Sequence, residues 1–279
     1  SVAYQPEPSS LRDGLCFLYC TIISAAVVIV LGMAIYGSMV TFWPWNKALT
    51  LNNYNFAEMS TYGWAPFFNS LTLGAWTAII GTVLIFLGAY CIEKGRAFGP
   101  VRQAMQMLSV VPMAVPGMVL GLGYIFYFND LSNPLNFLYG TMAFLVINTV
   151  VHYYTVGHMT ALTALKQLPE EIEATAASVN LPQYKLFFKV TVPVCLPAIL
   201  DIATYLFINA LTTTSAVVFL YSTDTIPASV SVLNMDDAGQ TGAAAAMAVM
   251  IMISAASAKL IHMLINKLFE KRTQAWRKR

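Results

Sequence analysis

Apolar residues run in long unbroken stretches along this chain, not in the alternation of a half-buried strand or the three-and-four rhythm of a surface helix. No charge falls between Asp13 and Lys47. The segment from Gly14 to Met39 therefore exceeds the roughly 20 residues that cross about 30 Å of hydrocarbon. A second uncharged run extends from Met59 to Ile92, with its apolar part over Leu71 to Tyr90. It carries Gly74, Gly81 and Gly88 at helical spacing, which suits close approach of another helix. Gln103 to Asn129 gives a third span and Leu131 to Leu165 a fourth, centred on Tyr139 to Tyr154. A fifth runs from about Pro197 to Leu220, interrupted by Asp201, and a sixth from about Gly242 to Leu264. The pattern predicts an all-α integral membrane protein of six transmembrane helices. Continuous runs exclude a membrane β-barrel, whose strands alternate over about ten positions. Pro112 and Pro116 interrupt hydrogen bonding in the third span and predict a bend there.

Composition agrees with this reading. Of 279 residues, 58% are hydrophobic and 10% charged, against about 25% charged in an ordinary soluble domain. Disorder would need fewer aromatics and more net charge, and a disulfide-stapled module more than the four cysteines present. Cys16, Cys20, Cys91 and Cys195 fall in or beside apolar runs and read as small apolar thiols.

The positions of the fifteen basic residues set an orientation, because Lys and Arg are retained on the cytoplasmic side. With the N-terminus inside, the inner segments hold Arg12, then Lys94, Arg96 and Arg102, then Lys166, Lys185 and Lys189. Lys259, Lys267, Lys271, Arg272, Arg277, Lys278 and Arg279 complete the inner set, and the outer segments hold Lys47 alone. Both termini are expected to be cytoplasmic, with Trp43, Trp45, Trp64 and Tyr139 near the outer interface. Residues 1–13 read as a polar, proline-bearing linker and not a signal peptide, which leads us to expect a segment ahead of Ser1. Residues 14–264 form the six-span domain and 265–279 a basic cytoplasmic tail.

The longest inner loop has a pattern of its own, a helical hairpin over residues 168–190. Pro169 suits a first helical turn, and Glu170, Glu171 and Glu173 follow where the helix dipole favours carboxylates. Ile172, Ala176 and Val179 form the apolar face, with Ala174 and Ala177 flanking it. Asn180 sits where a left-handed residue would close the helix. Pro182 then opens a second short helix, predicted to present Tyr184, Phe187 and Phe188 on one side and Lys185 and Lys189 nearer the other. Three carboxylates on the first helix argue against a surface helix on anionic lipid.

The stretch EIEATAASVNLPQYKLFFKVTVPVCLP resembles the cytoplasmic signature of inner-membrane permeases of binding-protein-dependent ABC importers. That signature is a Glu-Ala-Ala helix, a Gly three residues later and a downstream Leu-Pro. Asn180 stands in place of the Gly and Ala174 in place of the Glu, leaving Glu173 one position early. The phrases YGSMVTFWPWNKALTLNNY, VPGMVLGLGYIFYF and NALTTTSAVVFLYSTDTIPASVSVLNMDDAG are similar to permeases for 2-aminoethylphosphonate, relatives of the ferric iron and polyamine importers. The resemblance implies a coupling helix that docks on an ATP-hydrolysing subunit, through Glu170, Glu171, Glu173, Ala176, Ala177, Asn180, Pro182 and Lys185. It also implies a second permease half, which could be fused ahead of Ser1, and a periplasmic solute-binding protein. ATP and Mg would be bound by the partner subunit, with no cofactor on this chain. The setting is a bacterial inner membrane, with lipid and not nucleic acid around the chain.

Within the spans, the ionisable groups Asp201, His152 and His158 are costly and so count as candidates. Asp201 is expected near the inner interface or capping a helix, and the two histidines in helix packing. Asn209, Thr212, Thr213, Thr214 and Ser215 are candidate lining of a translocation path. Consecutive hydroxyls cannot all face one way on a helix, so some must bond backbone. The outer segments Trp43 to Asn69 and Tyr221 to Gly242, the latter with Asp224, Asp236 and Asp237, are candidate docking surfaces for the binding protein. No GxxxxGK[ST] phosphate loop, HExxH or GxSxG occurs, so the expectation is a transport subunit driven by a partner and not an enzyme. An ion-coupled secondary transporter is the alternative class, which would show several midplane carboxylates.

Overall fold

The computed structural model describes residues 9–95 and 98–273. Parts of the expected linker and tail, Arg96, and the side chains of Glu170 and Ala177 lie outside what is described. Helix α1 (Ser10–Ser38) leads into a small antiparallel hairpin of β1 (Val40–Phe42) and β2 (Asn46–Leu49). Helix α2 (Ala65–Lys94) follows, then α3 (Gly99–Ala114), α4 (Gly117–Phe128), α5 (Met142–His152) and α6 (Tyr154–Lys166). The hairpin consists of α7 (Glu170–Ser178) and α8 (Gln183–Val194), and the chain continues with α9 (Leu196–Thr212), α10 (Ala228–Asp237) and α11 (Thr241–Thr273).

Helix α2 is the central post. Its buried positions Phe67, Ser70, Leu73, Gly74, Thr77, Gly81, Ile85 and Ala89 recur at three- and four-residue steps, which makes one continuous stripe. The stripe packs on α9, α6 and α5. The small residues allow the contact: a Cβ at Gly81 would lie 2.7 Å from Leu206 Cδ1, and one at Gly88 would lie 2.6 Å from the Tyr154 hydroxyl. Three apolar clusters stack along this post, around Phe56 and Met247 at one end, Phe144 and Leu220 next, and Ile85, Leu165 and Ile202 toward the hairpin.

Helices α1 and α2 and the Thr241–Phe269 part of α11 are each long and apolar enough to cross a bilayer. Counting each of two bent helix pairs as a single span raises the number to five. The third span bends as expected, and the fourth and fifth differ in detail. The third is no single rod: α3 and α4 meet at 107° across Val115 and Pro116, because proline cannot continue the ladder and holds the preceding residue extended. The fourth begins at Met142, after a turn with Gly140 at φ +75°, and jogs at Tyr153 into α6, so it sits nearer the hairpin than predicted. The fifth stops at Thr212 instead of Leu220, and the chain beyond it folds into a buried turn. That turn finds side-chain partners for its backbone: Ser229 Oγ donates to the Thr213 carbonyl, and Asn148 Nδ2 donates to the Ala216 carbonyl at 2.8 Å.

Candidate functional site

The hairpin closes as its local sequence predicts. Asn180 adopts φ +55°, and the Leu181 amide reaches back to the Ala176 carbonyl at 2.9 Å, the bond of a helix closed by a left-handed residue. Pro182 stands immediately before α8. Two anchors tie the hairpin to the post. Lys94 Nζ, in the last turn of α2, lies 2.6 Å from Glu173 Oε1. The Phe187 ring is 8% exposed and packs edge-on against Tyr90 at 4.6 Å between centroids.

Two expectations about this hairpin change. Phe187 does not share a face with Tyr184 and Phe188, which are 63% and 66% exposed. A π-turn over Phe187–Thr191 and the pull of the Tyr90 pocket turn Phe187 inward. Val179 is exposed and not part of a packed face, whereas Ala176 is buried. Glu171, Asn180, Pro182 and Lys185 are exposed, so the outward surface of the hairpin combines these polar groups with Val179, Tyr184 and Phe188.

The predicted polar run does not form one surface. Asn209 and Thr212 belong to α9, and each donates to a backbone carbonyl of the turn before it, at 2.8 and 3.1 Å. Thr213 is buried, and its hydroxyl has no partner among the described residues. Thr214, partly buried, and Ser215, exposed, lie in the turn beyond α9, where the Thr214 carbonyl accepts from the Val217 and Val218 amides. This turn meets the break between α3 and α4 directly. A Cβ at Gly117 would stand 2.7 Å from Ser215 Oγ and 3.1 Å from His152 Cε1, so only glycine lets the two interruptions touch.

Of the other intramembrane candidates, His158 is fully buried, stacked on Tyr154, with Nε2 3.1 Å from Gln106 Oε1, which is a packing arrangement. Asp201 caps no helix. Its side chain is 52% exposed, and Oδ1 lies 3.1 Å from Nε2 of the buried His262 on α11. Asn266 Nδ2 also lies 2.9 Å from that nitrogen, while Asn266 Oδ1 has no partner among the described residues. Both contacts are satisfied when Nε2 carries a proton and Asn266 turns its oxygen toward it. Asp201 opens onto a cleft of 470 Å³ between α6, α9 and α11.

Sequence reasoning missed His262 and the cleft, although a signal existed: Asp201, Thr204, Tyr205 and Asn209 fall at helical spacing in an otherwise apolar span. Among the described residues, no three His, Cys, Asp or Glu side chains converge to hold a metal ion.

Comparison with known proteins adds three findings. The family described as binding-protein-dependent transport system inner membrane component matches residues 81–273. The ferric transport system permease protein FbpB of Actinobacillus pleuropneumoniae is 29% identical over 250 residues, 88% of this chain. The chain spans only 36% of that relative's length. Two solved structures of a bacterial ABC transporter for alginate, one in complex with its pentasaccharide-bound periplasmic protein, share the fold at TM-score 0.72 and 16% identity. They cover 95% and 91% of this chain, and it covers 98% and 94% of theirs.

Proposed function

The chain belongs to the family of binding-protein-dependent transport system inner membrane components, and from that premise we propose that it forms one half of the translocation path of an ATP-driven importer. In this reading α1, α2, the bent pair α3–α4, the jogged pair α5–α6, α9 and α11 make six crossings over residues 14–264, with both termini and the basic tail in the cytoplasm. The hairpin at 168–190 docks on an ATP-binding subunit, which holds ATP and Mg. Two such halves rock against one another, driven by the difference in nucleotide affinity between the states of the partner.

The observation that carries this reading is the hairpin itself. It is anchored on one side by Lys94 with Glu173 and by Phe187 with Tyr90, and it leaves Val179, Tyr184 and Phe188 exposed on the other. Exposed aromatics on a braced projection suit the central anchors of a protein interface. Glu173 then acts as a brace, while Glu170, Glu171, Ala176, Ala177, Asn180, Pro182 and Lys185 shape or flank the contact. At the opposite end, the exposed Asp224, Asp236 and Asp237 offer an acidic surface to a periplasmic binding protein.

For the solute we propose 2-aminoethylphosphonate, on the sequence phrases around the first, third and fifth spans. A second reading, ferric iron, is favoured by the ferric transport permease relative. The test of the docking is co-purification with the ATP-binding subunit together with ATP-dependent uptake. Tyr184→Glu with Phe188→Glu is expected to abolish both while the chain remains folded in the membrane; intact association would overturn the docking assignment. Uptake of labelled 2-aminoethylphosphonate against ferric iron separates the two solutes.

A further inference from the structure

The cleft beside Asp201 is rich in acceptor oxygens, because its threonine hydroxyls spend their protons on backbone. Thr160 Oγ1 donates to the Val156 carbonyl at 2.9 Å, and Thr204 Oγ1 donates to the Leu200 carbonyl at 2.8 Å. Each hydroxyl has one proton and two lone pairs, so what remains for the cleft is acceptor capacity. Asn209 gives one amide hydrogen to the Tyr205 carbonyl and keeps its second amide hydrogen and its side-chain oxygen. Asp201 uses Oδ1 on His262, and its half-exposed carboxylate retains a second oxygen for a ligand. Tyr205 adds an aromatic ring to the same wall.

A carboxylate, hydroxyl and amide oxygens and an aromatic ring are the groups that bind a protonated amine, through charge-assisted hydrogen bonds and cation–π attraction. Lys259, the single cation of the lining among the described residues, gives such a ligand a place for an anionic end. The volume of 470 Å³ lies within the roughly 300–1,000 Å³ of small-molecule sites. A bare metal ion fits less well, since among the described residues Asp201 is the only carboxylate of the lining and no metal-ligand group forms.

We propose that this cleft is a subsite for the ammonium group of the translocated solute, with Asp201 as the counter-ion, Thr160, Thr204 and Asn209 as acceptors, and His262 positioning the carboxylate. The proposal rests on the permease reading above and narrows its solute to an amine, zwitterionic where Lys259 is engaged.

The test uses the purified importer complex without its binding protein, so that ligand contacts report the membrane subunits alone. Saturation-transfer NMR is run with 2-aminoethylphosphonate, ethylphosphonate and ethylamine. The two amines are expected to receive transfer and ethylphosphonate to receive at least about fivefold less. Asp201→Asn should lower transfer to both amines by about tenfold, and Thr204→Val by about threefold without any change of charge. Thermal melts establish that each variant is folded, and where Asp201→Asn is not, Thr204→Val decides. Equal transfer to ethylphosphonate and 2-aminoethylphosphonate, or amine transfer unchanged in the folded variants, would overturn the subsite. Failure of the importer, reconstituted with its binding protein, to take up 2-aminoethylphosphonate while the complex still shows Asp201-dependent ethylamine transfer would remove the phosphonate and leave the amine subsite standing.

Discussion

Helices α1 and α2 are nearly the same length, and both read from sequence as membrane spans, yet they occupy opposite situations. No residue in the most apolar stretch of α1 is buried, whereas 39% of that of α2 is. Helix α1 is in fact the more apolar of the two, so hydrophobicity measures fitness for lipid and not centrality in the fold. What marks α2 as the post is its stripe of small and polar residues, Ser70, Gly74, Thr77, Gly81 and Gly88, which let other helices come close.

Substitutions at matched glycines test this contrast most directly. Gly81→Leu drives a side chain into Leu206 and Val150 and is expected to cost about 3 kcal/mol, seen as loss of folded protein in detergent melts. Asn148→Leu on α5, which packs against the post, removes the donor to the Ala216 carbonyl and should cost about 2 kcal/mol in the same assay. Lys94→Gln at the end of α2 is expected to cost about 1–2 kcal/mol, because its partner Glu173 is only partly exposed. Exchanging the charges, Lys94→Glu with Glu173→Lys, should recover part of that loss, and recovery measured as ATP-dependent uptake would mark the pair as a brace. Gly32→Leu in α1 meets nothing within 4 Å, and its melt should move by less than about 0.5 kcal/mol. A Gly32→Leu penalty equal to that of Gly81→Leu would erase the distinction between the two helices, and a penalty confined to the assembled importer would place another chain against α1.

The same division between near and distant causes explains what the sequence reveals. Helix α7, its closure at Asn180 and the restart after Pro182 are legible, because each depends on a residue and its immediate neighbours. The bend in the third span is legible from Pro112 and Pro116, although its angle is not. The end of α9 at Thr212 is hidden, since the turn that follows is held by Asn148 and Ser229 from other elements. Phe187 shows the same limitation: its local spacing groups it with Tyr184 and Phe188, and only the pocket at Tyr90 decides otherwise. Asp201 is visible as an anomaly in an apolar run, but its pairing with His262, a residue on another helix, leaves no local trace.

The Lys94–Glu173 contact also bears on how the molecule opens. A projecting hairpin joined only by its two chain ends would exchange its amide hydrogens by local fraying, independently of the bundle. Fastened to the last turn of α2, it belongs to one cooperative unit with that helix end. Amides from Ile172 to Val179 and from Tyr90 to Lys94 should then lose protection together, with a common opening free energy. Cutting the ion pair leaves Phe187 against Tyr90 as the remaining anchor and should lower the protection of Ile172 to Val179 below that of Tyr90 to Lys94.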